Sequence, residues 1–200
     1  MLRECLESGR LLVMGVAGAS LAGVRSAVAE GADIVEVSTA ALAAAVRAEY
    51  PSLVVGVRTG QEEVAREACA AGADLLSGGP GSGGSRSGGS WSGVAAEFGV
   101  GVVCPPALAA PAVAAGVGPE RVIIEGASGS GSVADLVSTG WPVLVSLSDG
   151  PGDLARAAVL GWLGVRVFRV QGVRETRRAL RMVSAIRGDV PPACAVRGLA

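Results

Sequence analysis

Three amino acids are missing from this sequence of 200 residues, which contains no histidine, no lysine and no asparagine. Without histidine and lysine, the chain lacks the commonest general base, the commonest metal ligand and any Schiff-base amine. All 17 basic side chains are therefore arginine, which binds carboxylate or phosphate but stays protonated near neutral pH. Any chemistry falls to carboxylates, cysteine, serine, threonine and the single tyrosine.

Charge of one sign, aromatic side chains and long apolar runs are also scarce. The 17 basic and 18 acidic residues give a net charge of −1, so no overall field attracts nucleic acid or an anionic membrane. Aromatic residues make up 3% of the chain, which argues against single-stranded nucleic acid. No apolar run is long enough to span a bilayer, and the charged first turns are unlike a signal peptide. We expect a cytoplasmic protein with no nucleic acid or membrane partner.

The four cysteines, Cys5, Cys69, Cys104 and Cys194, are widely scattered and show no CxxC spacing. Since no histidine can complete a zinc site, we expect reduced thiols and no metal centre.

Eight short apolar runs, each followed by a helical stretch, account for most of what the sequence does contain. They lie at 11–16, 33–37, 53–57, 74–76, 100–104, 121–125, 142–147 and 164–170. Continuous apolar runs are typical of parallel strands covered by helices. Eight such units predict a single α/β domain over 1–200, a short-looped (β/α)8 TIM barrel, with an open doubly wound sheet as the alternative. Residues 1–10 are expected to form a small helix across the bottom.

Two segments rich in small residues interrupt this pattern. The Gly/Ser tract at 77–93 predicts a flexible loop, either a disordered linker or a functional lid. Its GxGxxG match at 79–84 is weak because no helix begins at the third glycine. The segment 128–132 is either an anion-binding nest or a plain loop.

Polar residues follow the apolar runs, at the end of a TIM barrel where active sites lie. The ligand-binding candidates are Glu36, Arg58, Ser77, Glu125, Asp149 and Arg169; Gly18, Ser20, Thr59, Cys104, Ser148 and Gln171 also stand at strand ends. Such charges form either a ligand site or a self-satisfied network of ion pairs. Opposite charges side by side favour binding over proton transfer.

The last helix carries a basic stripe of Arg174, Arg177, Arg178 and Arg181, spaced i, i+3, i+4 and i+7. An apolar set, Val173, Thr176, Leu180, Val183 and Ile186, is expected to face the barrel. The stripe is either a solvated outer face or a docking surface for an acidic partner.

The string Gly-Val-Arg-Val-Phe-Arg-Val-Gln-Gly-Val-Arg at 164–174 resembles the last barrel strand of the dihydropteroate synthase family, where an Arg-Val-His-Asp-Val pattern closes the pterin and pyrophosphate site. The segments at 13–16, 31–37, 63–74, 121–125 and 142–145 resemble other family elements in the family's order, so the resemblance covers nearly the whole chain. It implies a pterin-binding TIM barrel and a transferase of folate biosynthesis that condenses a dihydropterin pyrophosphate with p-aminobenzoate. It also implies a pterin or phosphate-bearing small molecule as ligand, and a homodimer that pairs through the last helices.

Most of the family's functional positions differ in this sequence. The asparagine that the family uses for metal and pyrophosphate aligns with Gly18, and the second-strand aspartate is Glu36. Arg58 reverses the charge of a pterin-binding aspartate, and Gln171 with the following glycine replaces His-Asp. Only Arg169 is retained among the strongly functional positions.

These losses predict a degenerate, non-catalytic homologue or an altered small-ligand binder without a cofactor; Mg²⁺ is implied only if the family's reaction is retained. One alternative is an active transferase with a rewired site, in which Arg58 and Arg169 hold pyrophosphate and Glu36 or Glu125 binds the pterin. Another is a structural or regulatory partner protein.

Overall fold

A computed structural model describes residues 1–78, 88–126, 133–148 and 150–189. Eight parallel strands close into a barrel in chain order, and β8 pairs with β1. The strands are β1 (Leu12–Gly18), β2 (Ile34–Val37), β3 (Val54–Arg58), β4 (Leu75–Ser77), β5 (Gly101–Cys104), β6 (Val122–Gly126), β7 (Val143–Ser146) and β8 (Val167–Val170). The TIM barrel predicted from the eight apolar runs is confirmed, and the open-sheet alternative is wrong because no sheet edge is left unpaired among these strands.

Nine helices lie in the part of the chain that the structure describes. They are α1 (Leu2–Glu7), α2 (Leu21–Ala29), α3 (Ala40–Glu49), α4 (Glu62–Ala70), α5 (Gly88–Phe98), α6 (Ala109–Ala114), α7 (Val133–Ser138), α8 (Pro151–Trp162) and α9 (Val173–Arg187). Side-chain caps fix two of the turns from strand to helix. Ser20 accepts a hydrogen bond from the Gly23 amide at the start of α2, and Thr39 accepts one from the Leu42 amide at the start of α3. None of the helices in the described ranges is long and apolar enough to cross a membrane.

An inner core fills the barrel, and α1 closes its lower end. Successive side chains of a strand point to opposite faces, so alternate residues of each strand enter the barrel. The buried inner cluster comprises Leu12, Met14, Ile34, Val54, Leu75, Val103, Ile123, Leu144 and Val167, together with Leu2 and Leu6 of α1. Arg166 Nη2 donates a hydrogen bond to the Leu6 carbonyl at 2.9 Å. The small helix expected across the bottom is therefore present.

The same alternation places a polar layer on top of this apolar core. Two residues beyond an inward-facing apolar side chain, the next inward position is polar in five strands: Glu36 follows Ile34, Ser77 follows Leu75, Glu125 follows Ile123, Ser146 follows Leu144 and Arg169 follows Val167. The strands are three to seven residues long. Only one or two inward-facing side chains of each strand therefore precede its carboxyl end, which forms the mouth of the barrel. Strand parity alone thus turns these side chains towards one another.

On the outside of the barrel, arginines of α9 and α3 tie helix ends to strand starts. Arg177 Nε donates to the Gly31 carbonyl at 2.9 Å, and its Nη2 lies 2.6 Å from Asp33. Asp33 in turn accepts the Val13 amide at 2.8 Å. The arrangement recurs two strands further on, with Arg47, Gly72, Asp74 and Val55 in the corresponding positions. Gly31 and Gly72 have φ of +95° and +93°, a backbone region in which a residue with a Cβ is strained.

Two expectations for the last helix are wrong in part. Arg177 is 18% exposed and bonded to the end of α2, so the basic stripe is not solvated along its whole length. Ile186 is 67% exposed and does not face the barrel. The spacing of residues along a helix predicts only the average direction of its apolar face. Which side chains are buried depends on the elements that pack against α9.

Several sequence predictions lie outside the described residues. They concern 79–87 of the Gly/Ser tract with its GxGxxG match, the segment 128–132, Asp149 and Cys194. The loop predicted over 77–93 is wrong at its two ends, because Ser77 lies in β4 and residues 88–93 lie in α5.

Candidate functional site

Glu36 lies at the centre of the polar layer, near the carboxyl end of β2. Its side chain is 2% exposed. Its Oε1 accepts a hydrogen bond from Ser77 Oγ at 2.6 Å and another from Arg169 Nη2 at 2.9 Å. A buried carboxylate costs several kcal/mol of solvation unless it is paired and hydrogen-bonded, and these contacts provide both.

Arg169 joins Glu36 to a second carboxylate across the barrel mouth. Its Nη1 donates to Glu125 Oε1 at 2.5 Å and to Ser146 Oγ at 3.3 Å. With 3% of its side chain exposed, the guanidinium is enclosed by partners from β2, β6 and β7. Both terminal nitrogens of this retained arginine are therefore engaged by the protein itself.

Arg58, at the end of β3, is held more loosely. Its Nε lies 3.8 Å from Glu36 Oε2, and 32% of its side chain is exposed. Three buried polar atoms have no hydrogen bond within the described part of the chain: Glu36 Oε2, Arg58 Nε and Arg169 Nε. The Arg58–Glu36 contact is thus an ion pair without a hydrogen bond.

The formal charges of this layer cancel, because two arginines face two carboxylates. Close contacts with both carboxylates engage Arg169, whereas Arg58 makes one long contact. An anion that reached Arg169 would have to displace Glu125 or Glu36, and displacement of Glu36, which is 2% exposed, would leave a buried carboxylate without its partner, which is costly. The arrangement can neutralise charge but does not present Arg169 to a phosphate group.

The structure brings together five of the six predicted ligand-binding residues: Glu36, Arg58, Ser77, Glu125 and Arg169. Asp149 is not among the described residues. Of the two alternatives left by the sequence, the network of ion pairs is the one observed. That these residues bind a ligand stays a prediction.

Other strand-end candidates serve local structure. Thr59 Oγ1 accepts the Gln61 amide at 3.1 Å in the turn before α4. Cys104 is buried at the end of β5, and burial raises the pKa of its thiol to about 11, so it is a poor nucleophile near neutral pH. Ser146 was missed by sequence reasoning; its inward parity, two residues after Leu144, was the signal that could have found it.

A cavity of about 140 Å³ lies beside the network, between the starts of α8 and α9. It is lined by Leu147, Ser148, Asp153, Leu154, Gly172, Glu175 and Thr176. Ser148 Oγ donates to Asp153 Oδ2 at 2.6 Å. The sequence pointed to Ser148 as a strand-end residue and to Thr176 as a residue that faces the barrel. It did not point to Asp153 and Glu175, because these carboxylates lie inside helices and not at strand ends.

The side chains at the mouth do not suit the Mg²⁺ that the family resemblance implies. Gly18, which aligns with the family's metal-binding asparagine, has no side chain to offer. Within the described ranges, no three His, Cys, Asp or Glu side chains are grouped so that they could hold a metal ion. The carboxylates nearest the centre, Glu36 and Glu125, are already paired with Arg169.

Comparison with known proteins agrees with the fold and the resemblance. No family model matches the chain. A protein named inactive dihydropteroate synthase 2 from Mycobacterium tuberculosis is 33% identical, over 88% of this chain and 78% of that protein. Its namesake from Mycobacterium leprae is 32% identical, over 91% of this chain and 87% of that protein.

Solved structures give the same picture. The structure of Mycobacterium tuberculosis Rv1207 superposes with a TM-score of 0.81 at 36% identity, and the match covers 92% of this chain and 94% of that one. The Yersinia pestis dihydropteroate synthase shares the fold, with a TM-score of 0.79 at 18% identity over 92% of this chain and 95% of that one. Together with the closed barrel, these relatives show that the chain belongs to the dihydropteroate synthase family.

Proposed function

We propose that this protein is a non-catalytic member of the family, which has kept the barrel and lost the condensation of a dihydropterin pyrophosphate with p-aminobenzoate. The observation that carries the proposal is the engagement of Arg169 by Glu36 and Glu125 at 2.9 and 2.5 Å. The name of the Mycobacterium relatives, inactive dihydropteroate synthase 2, supports it. The proposal assigns no cofactor.

The residue types at the mouth explain why the reaction is lost. A pyrophosphate leaving group needs cations or amide donors that are free to stabilise its developing charge. Lysine, histidine and asparagine are absent from the whole sequence. Arg58 is the more exposed mouth arginine in the described chain, at 32%, and one half-buried guanidinium is a poor substitute for the lost set.

The direct test is pyrophosphate release from hydroxymethyl-dihydropterin pyrophosphate and p-aminobenzoate, with and without Mg²⁺. We expect no release above the rate without protein, and no rescue of a folate auxotroph. The Yersinia pestis synthase, assayed in parallel, shows that the substrates are competent. Turnover by this protein that disappears in Arg169→Ala would establish the rewired transferase instead.

A second candidate function, a small-ligand binder, is favoured by Arg58. Its Nε has no hydrogen bond to any described residue and its side chain is partly exposed, so a pterin or a phosphate-bearing small molecule is its expected ligand. Such a ligand should raise the melting temperature of the wild type and have a smaller effect on Arg58→Gln. Arg25→Gln, which removes an exposed arginine paired with Glu49, is the matched control. Equal shifts in both variants would contradict binding at Arg58.

We also propose that two copies associate through the outer faces of α8 and α9. Five of the seven large apolar side chains that are exposed in the described chain lie on or directly after these two helices: Val159, Trp162, Leu163, Met182 and Ile186. The helices pack side by side and extend for about 18 and 22 Å at 1.5 Å per residue. Exposed apolar side chains that are concentrated on two neighbouring helices are typical of an interaction site.

Sedimentation equilibrium tests this pairing. We expect the wild type to sediment as a dimer at micromolar concentration and Trp162→Glu to sediment as a monomer. Phe98→Glu, which replaces another exposed aromatic side chain, on α5, is the control and should leave the dimer intact. A monomeric wild type would end the homodimer proposal and favour a partner protein on this face.

The cytoplasm is the compartment that we propose. The described cysteines, Cys5, Cys69 and Cys104, are unpaired, which is usual where thiols are kept reduced. Fractionation of the source cells with an antibody against this chain would test the assignment.

A further inference from the structure

Four exposed arginines on α8 and α9 have no partner among the described residues. They are Arg156, Arg174, Arg178 and Arg181, called the arginine patch below. Every other arginine in the described ranges makes at least one ion pair or side-chain hydrogen bond. Since α8 and α9 pack side by side, the unpaired arginines of the described chain are gathered on one side of the barrel.

The arginines of α9 are unfavourable for the helix that carries them. Arg174 lies in the first turn, where the positive amino end of a helix repels a cation. Arg178 and Arg181 follow four and three residues further on, and like charges at these spacings destabilise a helix. Glu175 is the only exposed carboxylate on α8 and α9, and it forms no ion pair with a described arginine. Residues that break a local rule without a compensating contact in the fold are expected at functional sites.

The arginine patch and the exposed apolar side chains occupy different halves of the same face. On both helices the arginines come first in the chain, and the apolar residues follow at Val159, Trp162, Met182 and Ile186. Both helices run away from the barrel mouth, so the arginines lie nearer the mouth and the apolar side chains nearer the opposite end. A dimer that forms through the apolar half therefore does not need to cover the arginines.

The charges of the patch are close enough to act together. Arg174 and Arg181 lie about 10 Å apart along α9 at 1.5 Å per residue, and neighbouring helices are about 8–10 Å apart. These distances are similar to the Debye length, which is about 8 Å at physiological salt. Four cations with one nearby exposed carboxylate give this surface a local positive charge that the net charge of −1 conceals.

The composition of the surface favours an acidic protein segment as its partner. The planar guanidinium group donates two parallel hydrogen bonds to a carboxylate. Nucleic acid is a poorer match, because the one aromatic residue of these two helices, Trp162, lies at the opposite end from the mouth. An anionic membrane is also a poorer match, because a helix that lies in a membrane surface has its apolar side chains along one whole face, and here the two sets are separated along the helices.

We propose that the arginine patch docks an acidic segment of another protein, which presents carboxylates at i, i+4 and i+7 of a helix. These carboxylates pair with the row formed by Arg174, Arg178 and Arg181, and a further carboxylate beside them pairs with Arg156. The proposal goes beyond the loss of catalysis. It does not depend on the pairing of two copies, because that pairing uses the apolar half of the face.

Two synthetic alanine-rich helical peptides test the docking. One carries glutamate at i, i+4 and i+7, and the other carries glutamine at the same positions. Fluorescence anisotropy with the full chain should detect binding of the glutamate peptide, with roughly tenfold weaker binding of the glutamine peptide, and added salt should weaken the first. Equal binding of the two peptides, or no binding of the glutamate peptide at millimolar concentration, would overturn the proposal.

Substitutions locate the bound peptide. Arg174→Gln, Arg178→Gln and Arg181→Gln should each weaken binding of the glutamate peptide about two- to fivefold, and the triple variant roughly tenfold or more. None of these side chains has a partner in the described chain, so the variants should remain folded, which circular dichroism checks.

A second triple variant, Arg3→Gln with Arg25→Gln and Arg66→Gln, is the matched control. It removes the same charge from exposed arginines on α1, α2 and α4 that are already paired with glutamates. The control should bind the glutamate peptide as the wild type does. If both triple variants lose binding equally, the overall charge attracts the peptide and the assignment to the patch is wrong.

Two further measurements separate docking from the other uses of this face. Trp162→Glu, which is expected to be monomeric, should bind the glutamate peptide as tightly as the wild type. Loss of the peptide together with the dimer would contradict the separate roles of the two halves. Cosedimentation with phosphatidylserine vesicles that needs Arg174, Arg178 and Arg181, without binding of the glutamate peptide, would replace the acidic segment by a membrane and overturn the proposal.

Discussion

At the end of β8, Arg169 donates to Glu36 at 2.9 Å and to Glu125 at 2.5 Å, and only 3% of its side chain is exposed. The resemblance marks this arginine as a ligand-binding residue that has been retained. Its neighbours give it a structural role, because two carboxylates from other strands neutralise it. Substitution of Glu36 or Glu125 therefore tests this structural role as directly as substitution of Arg169 does.

We predict that Arg169→Met lowers the free energy of unfolding by about 3–5 kcal/mol, since it leaves two carboxylates at the mouth without their cation. Urea denaturation measures the change. Arg58→Met, at a side chain that is 32% exposed and 3.8 Å from its partner, should cost less than about 1 kcal/mol. Adding Glu36→Gln to Arg169→Met should recover part of the loss. If the Arg169 and Arg58 variants cost the same, the buried pairing is not what stabilises the mouth.

Cys104 provides a prediction on pH. Burial raises the pKa of its thiol from 9.0 to about 11, so the folded state favours the protonated form. The stabilisation is complete below pH 9 and is lost as pH rises through about 11; a shift of two units corresponds to roughly 2–3 kcal/mol. Urea unfolding at pH 8 and pH 10.5 should therefore show a smaller decrease for Cys104→Ala than for the wild type. Identical decreases would contradict the assignment, and Cys69, whose pKa is also raised to about 11, would then be the next thiol to substitute.

At the scale of the element, α9 shows that neighbouring residues of one stripe differ in role. Arg177 is bonded to Gly31 and Asp33, which join the end of α2 to the start of β2. Arg178 is exposed, one position further along the same helix. On the inner side of the stripe, Arg177 therefore holds α9 against the loop between α2 and β2. On the outer side, Arg178 lies in solvent.

We predict that Arg177→Gln lowers the melting temperature by several degrees, which corresponds to about 1–2 kcal/mol for a charged hydrogen bond to a partly buried group. Arg178→Gln removes the same charge from the same helix and should leave the melting temperature within about one degree. Differential scanning calorimetry distinguishes the two. Equal changes would mean that net charge matters rather than the contacts of Arg177.

At the scale of the whole molecule, the exposed apolar face of α8 and α9 links stability to association. A folded protein that dimerises is stabilised by mass action, so its melting temperature rises with protein concentration. We predict a rise of several degrees between about 1 and 100 µM for the wild type, and none for Trp162→Glu. A concentration-independent wild type would show that the barrel is stable as a monomer and that this face has another use.

The fold was largely readable from the sequence because each βα unit carries its own local signals. Eight apolar runs, each followed by a helical stretch, predict a parallel barrel, and the resemblance at 164–174 agreed with it. Local signals also located Glu36, Arg58, Ser77, Glu125 and Arg169 at strand ends. They did not reach Asp153 and Glu175, since a first-turn carboxylate looks the same in sequence whether it meets solvent or a cavity.

By itself, the sequence determined which groups are available at the mouth: arginine, carboxylate and hydroxyl, with no lysine, histidine or asparagine. It also determined their inward parity, because alternation along a strand is a local property. Only the tertiary structure decided that Arg169 forms ion pairs with Glu36 and Glu125. These residues lie 133 and 44 positions away in the chain, and closure of the barrel alone sets their distances. Pairing across strands depends on that closure, so no local pattern could have chosen between an open site and a neutral network.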